Sequence, residues 1–329
     1  MNLYGIDIFI KTLSQPLKIY HDFTEKGEPV KETIKAYIDL TRIHFWFVWP
    51  LLCCSGLMLA FHTYGGFSWS LIIRAIIGSL LGFEAGFVLN DYIDRDIDKK
   101  DVEFNKLTPY WRPFNRRPIP SGLISPQTAL FVFITLVVLT SAIILTLPFP
   151  HNVYIFGIMG YSFFMEYFYQ MKKRNQTFPW AQLIGRTDFT FFPVAGYLCY
   201  GHLDRTALLY ALFFYPWVIA HLGLNDIIDI KNDRARDLKT ITVLYGTQGT
   251  ARWILIFTII HLISAPFFLM ELGSVARIGF FIAFMILIYA NYKLIKEKSP
   301  ERGLSVLPLF HVTLIIYCLS IILDFALHL

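Results

Sequence analysis

The chain has 329 residues, of which 55% are hydrophobic, 17% aromatic and only 16% charged, and its mean hydropathy is +0.51. This composition excludes an ordinary water-soluble globular protein and makes the chain a membrane protein. The formal net charge of +5 suits anionic lipid headgroups or an anionic substrate, and no nucleic-acid partner is expected.

In chain order, the opening stretch MNLYGIDIFIKTLSQ has no basic region followed by a long apolar core and a small-residue cleavage site, so no secretory signal is expected. Residues 1–40 are read as a cytoplasmic, interfacial amphipathic segment, and residues 41–329 as a single polytopic domain. Nine apolar runs follow at the length a helix needs to cross a bilayer. They lie at roughly 43–62, 68–92, 127–148, 152–170, 180–200, 206–228, 251–271, 276–295 and 304–327. Of the 29 lysines and arginines, 25 fall in the N-terminal segment and in alternate loops on the same side. Only Arg74, Arg205 and Arg277 fall opposite, and Arg186 lies inside a run. Because basic loops stay on the cytoplasmic side, the N-terminus is expected inside and the C-terminus outside. Cys53, Cys54, Cys199 and Cys318 all fall within the runs and read as buried thiols.

The second run ends in NDYIDRDID and the sixth in NDIIDIKND. Both follow one pattern, Asn90, Asp91, Asp94, Asp98 and then Asn225, Asp226, Asp229, Asp233. On a helix these offsets share one broad face, so each motif can aim three carboxylates at one point. Both motifs emerge at the cytoplasmic edge and can face each other across one cavity. Six carboxylates at close range would repel, which a hard divalent cation relieves; oxygen-only donors point to magnesium, with two ions expected. All six aspartates and the two asparagines are candidate metal ligands, and Asp96 and Asp237, outside the pattern, read as solvated. Two basic stretches lie on the same edge and supply Tyr169, Lys172, Lys173 and Arg174 from one and Arg116 and Arg117 from the other. Together with the acids they form a candidate diphosphate site that opens toward the cytoplasm.

These residues resemble the UbiA-type intramembrane prenyltransferases. NDYIDRDID is similar to the family's NDxxDxxxD, RPIPSG to its RPxPSG, YQMKKRNQTFP to its YPxxKR segment, and NDIIDIKNDRARDLKT to its second acidic motif. The likeness covers about residues 38–325. Two features depart from it, a longer stretch between Asp98 and Arg117 and Asp237 where many members have glycine, and both bear on the shape of the cytoplasmic cap. The resemblance implies an all-α integral membrane fold of nine transmembrane helices around a central cavity with a cytoplasmic-side cap. It also implies magnesium-dependent transfer of an isoprenoid chain from a prenyl diphosphate donor to an aromatic or lipid acceptor, as in quinone, chlorophyll-like or ether-lipid synthesis, within membrane lipid.

Charge building on the leaving diphosphate would be stabilised by the metal and the basic residues. The allylic cation left behind needs aromatic faces, for which Phe45, Phe87, Tyr92, Phe164 and Tyr169 are candidates. Ionisable groups within a membrane span are costly and usually functional. Arg186 and Asp188 are therefore read as acceptor-pocket residues, with Arg42 and His44 as further candidates. The rival reading is a polytopic cation transporter with duplicated acidic motifs, against which stand the basic residues beside the acids and the position of both motifs at one membrane edge.

Overall fold

The computed structural model describes residues 27–327, and every regular element among them is helical. Helix α1 (Gly27–Thr41) leads into α2 (Val48–Tyr64) and α3 (Trp69–Asp94), which carries the first acidic motif at its end. An irregular stretch with the short α4 (Leu107–Trp111) connects to α5 (Pro126–Leu145) and α6 (His151–Lys172). A single π-helical turn at Ala181–Gly185 precedes α7 (Thr187–Leu198). Next come α8 (Arg205–Ile228) and the short α9 (Ile230–Ala235), which hold the second motif, then α10 (Ile241–Leu269), α11 (Ser274–Lys296) and α12 (Pro300–Ala326).

Local signals in the sequence account for many of these boundaries. Ser68, Ser125, Asp204 and Ser299 each accept a hydrogen bond from the backbone N–H three residues on, at 3.2, 3.1, 2.9 and 3.1 Å, at the starts of α3, α5, α8 and α12. Pro126 and Pro300 stand in the first turn, where a missing N–H costs nothing. The start of α11 is satisfied from a distance, since Asp324 near the end of α12 accepts from Gly273 N (2.6 Å) and Val275 N (2.9 Å).

Among the described residues, seven helices are long and apolar enough to cross a membrane: α2 with its preceding turn, α3, α5, α8, α10, α11 and α12. The other two expected runs are helical but are not among those long and apolar helices. Helix α6 has the length but is rich in tyrosine and carries Glu166 and Gln170, and the run at 180–200 is broken at Arg186 between the π-turn and α7. Of the expected interfacial segment, residues 27–41 are helical and the remainder lies outside the described residues. Helix α1 lies against the body of the protein. Its buried Asp39 accepts from the backbone N–H groups of Phe114 and Arg116, at 2.9 Å each, while Ala36 and Leu40 pack with Val88, Ile119, Ile124 and Ala129.

Helix α2 is central and packs on α3, α7 and α12; α8 packs on α7, α10 and α12; and α3 is covered by α5 and α6. Apolar helices gain no hydrophobic drive from each other in lipid, so close backbone approach and internal hydrogen bonds hold them together. At the α2–α7 crossing Gly56 and Gly196 permit that approach. A Cβ on Gly56 would lie 1.9 Å from the Pro193 carbonyl oxygen, and one on Gly196 would lie 1.8 Å from that of Cys53. Hydrogen bonds inside the bundle join Ser55 to Tyr210 (2.8 Å), His261 to Tyr317 (2.9 Å) and Asn291 to Thr258 (3.0 Å). Gly196→Val is expected to force α2 and α7 apart and to lower stability by about 1–3 kcal/mol or more. Gly157→Ala, where an added Cβ meets nothing within 4 Å, is expected to leave stability level or raise it, and thermal unfolding in detergent compares the two.

Candidate active site

The helices enclose a cavity of ≈ 340 Å³. Its polar end is formed by Asn90, Asp94 and Asp98 from the first motif, Asn225, Asp226, Asp229 and Asp233 from the second, and the cations Arg42, Arg117, Lys173, Arg186 and Arg236. Deeper walls are aromatic and aliphatic, with Trp49, Phe83, Phe87, Phe189, Phe192 and Trp217 among them. The motifs thus meet across one space, as their sequence spacing predicts.

Their electrostatic states differ, although the patterns are the same. In the first motif every aspartate is matched by two basic groups. Asp91 receives Arg42 Nη2 at 2.9 Å and Arg112 Nη2 at 2.8 Å on both oxygens. Asp94 receives Lys173 Nζ (2.6 Å) and Arg174 Nη2 (3.0 Å), and Asp98 receives Arg117 Nη1 (2.7 Å) with Arg236 Nη2 at 3.3 Å. In the second motif, among the described residues, Asp226 accepts from Gln182 Nε2 (3.2 Å) and the Ile241 N–H (3.0 Å) alone, and Asp233 from Thr240 Oγ1 (2.7 Å) alone. Asp229 accepts from Asn232 (2.8 Å) and has Arg236 Nη1 at 3.6 Å. The consequence shows at the groups beyond the end of α8. Burial, reinforced by neighbouring Asp229 and Asp226, pushes the Asp233 carboxyl well above the ordinary carboxylate range. Burial also raises Asp229, against the pull of Arg236 and Arg117. Arg236 itself is held charged more firmly than a free arginine, because Asp98, Asp229, Asp101 and Asp233 outweigh its burial.

A second ionic cluster forms the wall at α6 and α7. Arg186 Nη1 donates to Glu166 Oε2 (2.5 Å) and has Asp188 Oδ2 at 3.8 Å, while its guanidinium lies 3.4 Å above the centre of the Tyr169 ring. The π-turn aims this arginine inward, and Gly185 lets it settle, since a Cβ there would stand 2.7 Å from Tyr169 Cβ. Glu166 also accepts from Asn90 Nδ2 (2.7 Å) and from Gln170, so the first acidic motif and Arg186 share one anchor. The end of α6 is tied in turn to the loop that follows the second motif, by Lys239 N–H donating to the Lys173 carbonyl (2.7 Å).

Several expected site residues stand elsewhere. Arg116 does not line the cavity; it pairs with Glu32 of α1. Lys172, Arg174, His44, Tyr92 and Phe164 are also off the cavity wall, and Phe164 is 60% exposed. Asp91 is buried behind the wall by its two arginines, one of which, Arg42, keeps a left-handed backbone (φ 47°) and stacks 4.0 Å above Phe87. Phe45, Phe87 and Tyr169 do line the cavity, and Asp96 and Asp237 are exposed as expected. The sequence reading missed Arg112, Asp101, Arg236, Gln182 and Glu166. Arg117 Nε (2.6 Å) and Arg236 both contact Asp101, which joins the two motifs through one carboxylate. Glu166 was findable, because the rule that singled out Arg186 inside a span applies to it equally.

The expected convergence of three carboxylates on one point is not found. Among the described residues no three carboxylate, imidazole or thiol groups enclose a metal site on their own. Each acid of the first motif is drawn instead to its own cations. The donor set nevertheless fits a hard cation completed by outside oxygens. Asp226 and Asp233 have no basic partner among the described residues, and Asn225 Oδ1 is buried without a hydrogen-bond partner.

Comparison with known proteins bears on this arrangement. Residues 47–314 match the model of the UbiA prenyltransferase family. The chain is 26% identical over 273 residues to the digeranylgeranylglyceryl phosphate synthase of Thermococcus sibiricus, covering 82% of this chain and 90% of that one. It is 27% identical over 286 residues to the 4-hydroxybenzoate octaprenyltransferase of Albidiferax ferrireducens, covering 86% and 91%. Its fold matches that of a UbiA homologue from Archaeoglobus fulgidus bound to GPP and Mg2+, with a TM-score of 0.64, 15% identity and coverage of 87% and 99%. A cation-transport reading gains no support from these likenesses.

The shared anchor yields a test. Glu166→Ala strands the buried Arg186 charge and is expected to lower stability by about 3 kcal/mol. Glu297→Ala, which removes exposed contacts to Arg302 and the Ser299 hydroxyl, is expected to leave the unfolding midpoint in detergent unchanged.

Proposed function

The chain belongs to the UbiA prenyltransferase family, and from that premise we propose that it is a magnesium-dependent enzyme moving an isoprenoid chain from a prenyl diphosphate to an aromatic or lipid acceptor. The observation that carries this reading is the joining of the two acidic motifs and their cations at one end of an apolar, aromatic-walled cavity. The diphosphate end of the donor fits the charged end, and its hydrocarbon fits the deep walls. Digeranylgeranylglyceryl phosphate synthase and 4-hydroxybenzoate octaprenyltransferase are named for different acceptors, so the reading commits to the reaction and leaves both acceptor classes in view.

Asn90, Asp94, Asp98, Asn225, Asp226, Asp229 and Asp233 would hold magnesium, one ion at each motif. Asp91 keeps Arg42 and Arg112 in place behind them. When bound, the metal supplies positive charge to the leaving diphosphate and lowers the barrier to its departure. Lys173, Arg117 and Arg236 can exchange part of their carboxylate contacts for phosphate oxygens as the donor arrives, and Arg174 can then keep Asp94 paired from outside the cavity. Phe45, Phe87 and Tyr169 face the allylic carbon with ring electrons and exclude water. Arg186 and Asp188 meet the acceptor, the arginine as a partner for a carboxylate or phosphate.

In this reading α6 and the broken run through α7 also cross the membrane, giving nine spans. Glu166 and Arg186, the charges that interrupt them, line the cavity. The stretch between α3 and α5 forms the cytoplasmic-side cap, with the N-terminus in the cytoplasm.

Purified protein with magnesium and geranyl diphosphate is expected to release diphosphate and prenylate an offered acceptor, read by product mass. Sodium- or proton-coupled flux without diphosphate release would sink the reading. Asp226→Ala and Asp233→Ala are expected to reduce turnover by about two orders of magnitude or more, with fold retained. Lys173→Ala is expected to raise the donor KM, whereas Lys298→Ala leaves it alone. Arg186→Leu and Asp188→Asn are expected to raise the acceptor KM or lower kcat while donor affinity stays within about threefold of normal, since a lost bidentate contact acts only on its own ligand.

A further inference from the structure

Three cavity-side residues that the proposed chemistry leaves unused form a hydrogen-bonded chain. His221 of α8 and His311 of α12 meet Nε2 to Nε2 at 2.9 Å, and His311 Nδ1 meets the Tyr110 hydroxyl of α4 at 2.5 Å. Both histidines line the cavity. The chain is boxed by aromatic rings, with Trp217 stacked on His221 (centroids 5.0 Å apart) and Phe45 and Trp111 against His311 (5.5 and 5.4 Å). Tyr110 lies in the irregular stretch that closes the polar end and is only partly buried; its carbonyl pairs with the exposed His44 Nε2 at 3.1 Å.

Neither imidazole is paired with a carboxylate among the described residues, and His221 Nδ1 has no protein partner among them. A packing histidine looks different. His261, off the cavity, spends both nitrogens, on the Phe213 carbonyl and the Tyr317 hydroxyl. In the His221 chain each contact can be served by a proton from either side, because a neutral imidazole donates from one nitrogen and accepts at the other. Two proton arrangements therefore fit the same heavy atoms. In one, His221 Nδ1 is an acceptor; in the other it is a donor.

Depth along α8 puts this end next to the chemistry. His221 stands four and five residues before Asn225 and Asp226, about 6–8 Å further into the bundle by helical rise. A donor whose diphosphate sits at the second motif carries its reacting carbon just beyond, toward the apolar interior, which is the depth of His221. The part of the wall at α6 and α7 is occupied by the Arg186, Glu166 and Asp188 charges.

We propose that His221, relayed by His311 and Tyr110, removes the proton that the acceptor loses on prenylation, an inference that rests on the functional reading above. The carbon–oxygen bond at C1 of the donor breaks with its electron pair leaving on the diphosphate, and an electron pair of the acceptor forms the new bond to C1. His221 Nδ1 takes the acceptor's proton, the His221 Nε2 proton passes to His311 Nε2, and the His311 Nδ1 proton passes to Tyr110. The proton of the Tyr110 hydroxyl leaves to the aqueous edge, so no ring is left charged in the apolar wall. The acceptor suited to this end carries a hydroxyl or a hydroxyl-activated ring carbon. His221 is the catalytic base in this scheme, and His311 and Tyr110 act through it.

The test uses the full-length protein in detergent with magnesium, geranyl diphosphate, and 4-hydroxybenzoate or geranylgeranylglyceryl phosphate as acceptor probe. His311→Gln keeps hydrogen bonding but cannot relay a proton, so kcat is expected to fall about 100-fold while the donor Kd stays within about threefold. Added imidazole is expected to restore His311→Ala at least about tenfold, which a purely structural histidine would not permit. A His311→Gln kcat within about threefold of wild type, or a loss that imidazole does not recover, overturns the relay but not the prenyltransferase reading. If the His311 variants do not fold, Tyr110→Phe on the surface stretch decides it, with a fall in kcat of about tenfold at unchanged acceptor KM expected and an unchanged kcat overturning the relay. A wild-type protein that prenylates neither probe overturns both readings.

Discussion

Six carboxylates delivered to one end of an apolar helix bundle must be neutralised, and that requirement organises the polar half of this protein. Leaving a charge in a medium of low dielectric costs several kcal/mol unless it is paired and hydrogen-bonded. The first motif meets the requirement internally, with Arg42, Arg112, Lys173, Arg174, Arg117 and Arg236 drawn from four separate stretches of chain. The second motif is left short of cations, and Asp229 and Asp233 respond by holding protons more tightly than ordinary carboxylates. This asymmetry gives the site a direction. One side is already balanced, and the other has capacity for a cation brought from solution.

The same constraint explains why the irregular stretch between α3 and α5 is ordered. Arg112 and Arg117 reach back to Asp91 and Asp98, Asp101 joins Arg117 to Arg236, and Asn232 accepts from the backbone of Val102 and Glu103 at 2.9 and 2.8 Å. Helix α1 fixes the far part of the stretch through Asp39. Polar bonds of this kind, and not a second large core, hold the polar end of the cavity. The apolar body is held differently, by backbone-close crossings such as Gly56 and Gly196 and by isolated hydrogen bonds among the helices.

The chain is 26–27% identical to proteins named for different acceptors. In the proposed reading the motifs would serve the diphosphate chemistry and side chains outside them would distinguish the acceptor. In this protein two parts of the cavity wall offer contrasting means, a charged cluster at Arg186 and a neutral hydrogen-bonded chain at His221. A charged wall selects for charge, whereas a neutral chain accepts a hydroxyl.

Much of this was legible in the sequence, because apolar span length and the duplicated N-D-x-x-D-x-x-x-D spacing are local properties that the bilayer and the helix period impose. The helices that carry both motifs, the meeting of the motifs at one cavity, the exposure of Asp96 and Asp237, and the inward position of Arg186 all follow from them. Partner choice was not legible. Nothing local tells Arg117, which contacts Asp98, from its neighbour Arg116, which serves α1 through Glu32. Nor does any local signal reveal that Asp91 turns away from the cavity while Asp94 faces it, or that His221 will meet His311 ninety residues later. Such pairings depend on how helices distant in sequence cross, and electrostatic energy in a dry interior changes steeply over a few ångströms. The sequence by itself determined which helices are apolar enough for a membrane and which charged motifs they end in; only the tertiary structure decided which charge neutralises which, and therefore which acids are left with room for a ligand.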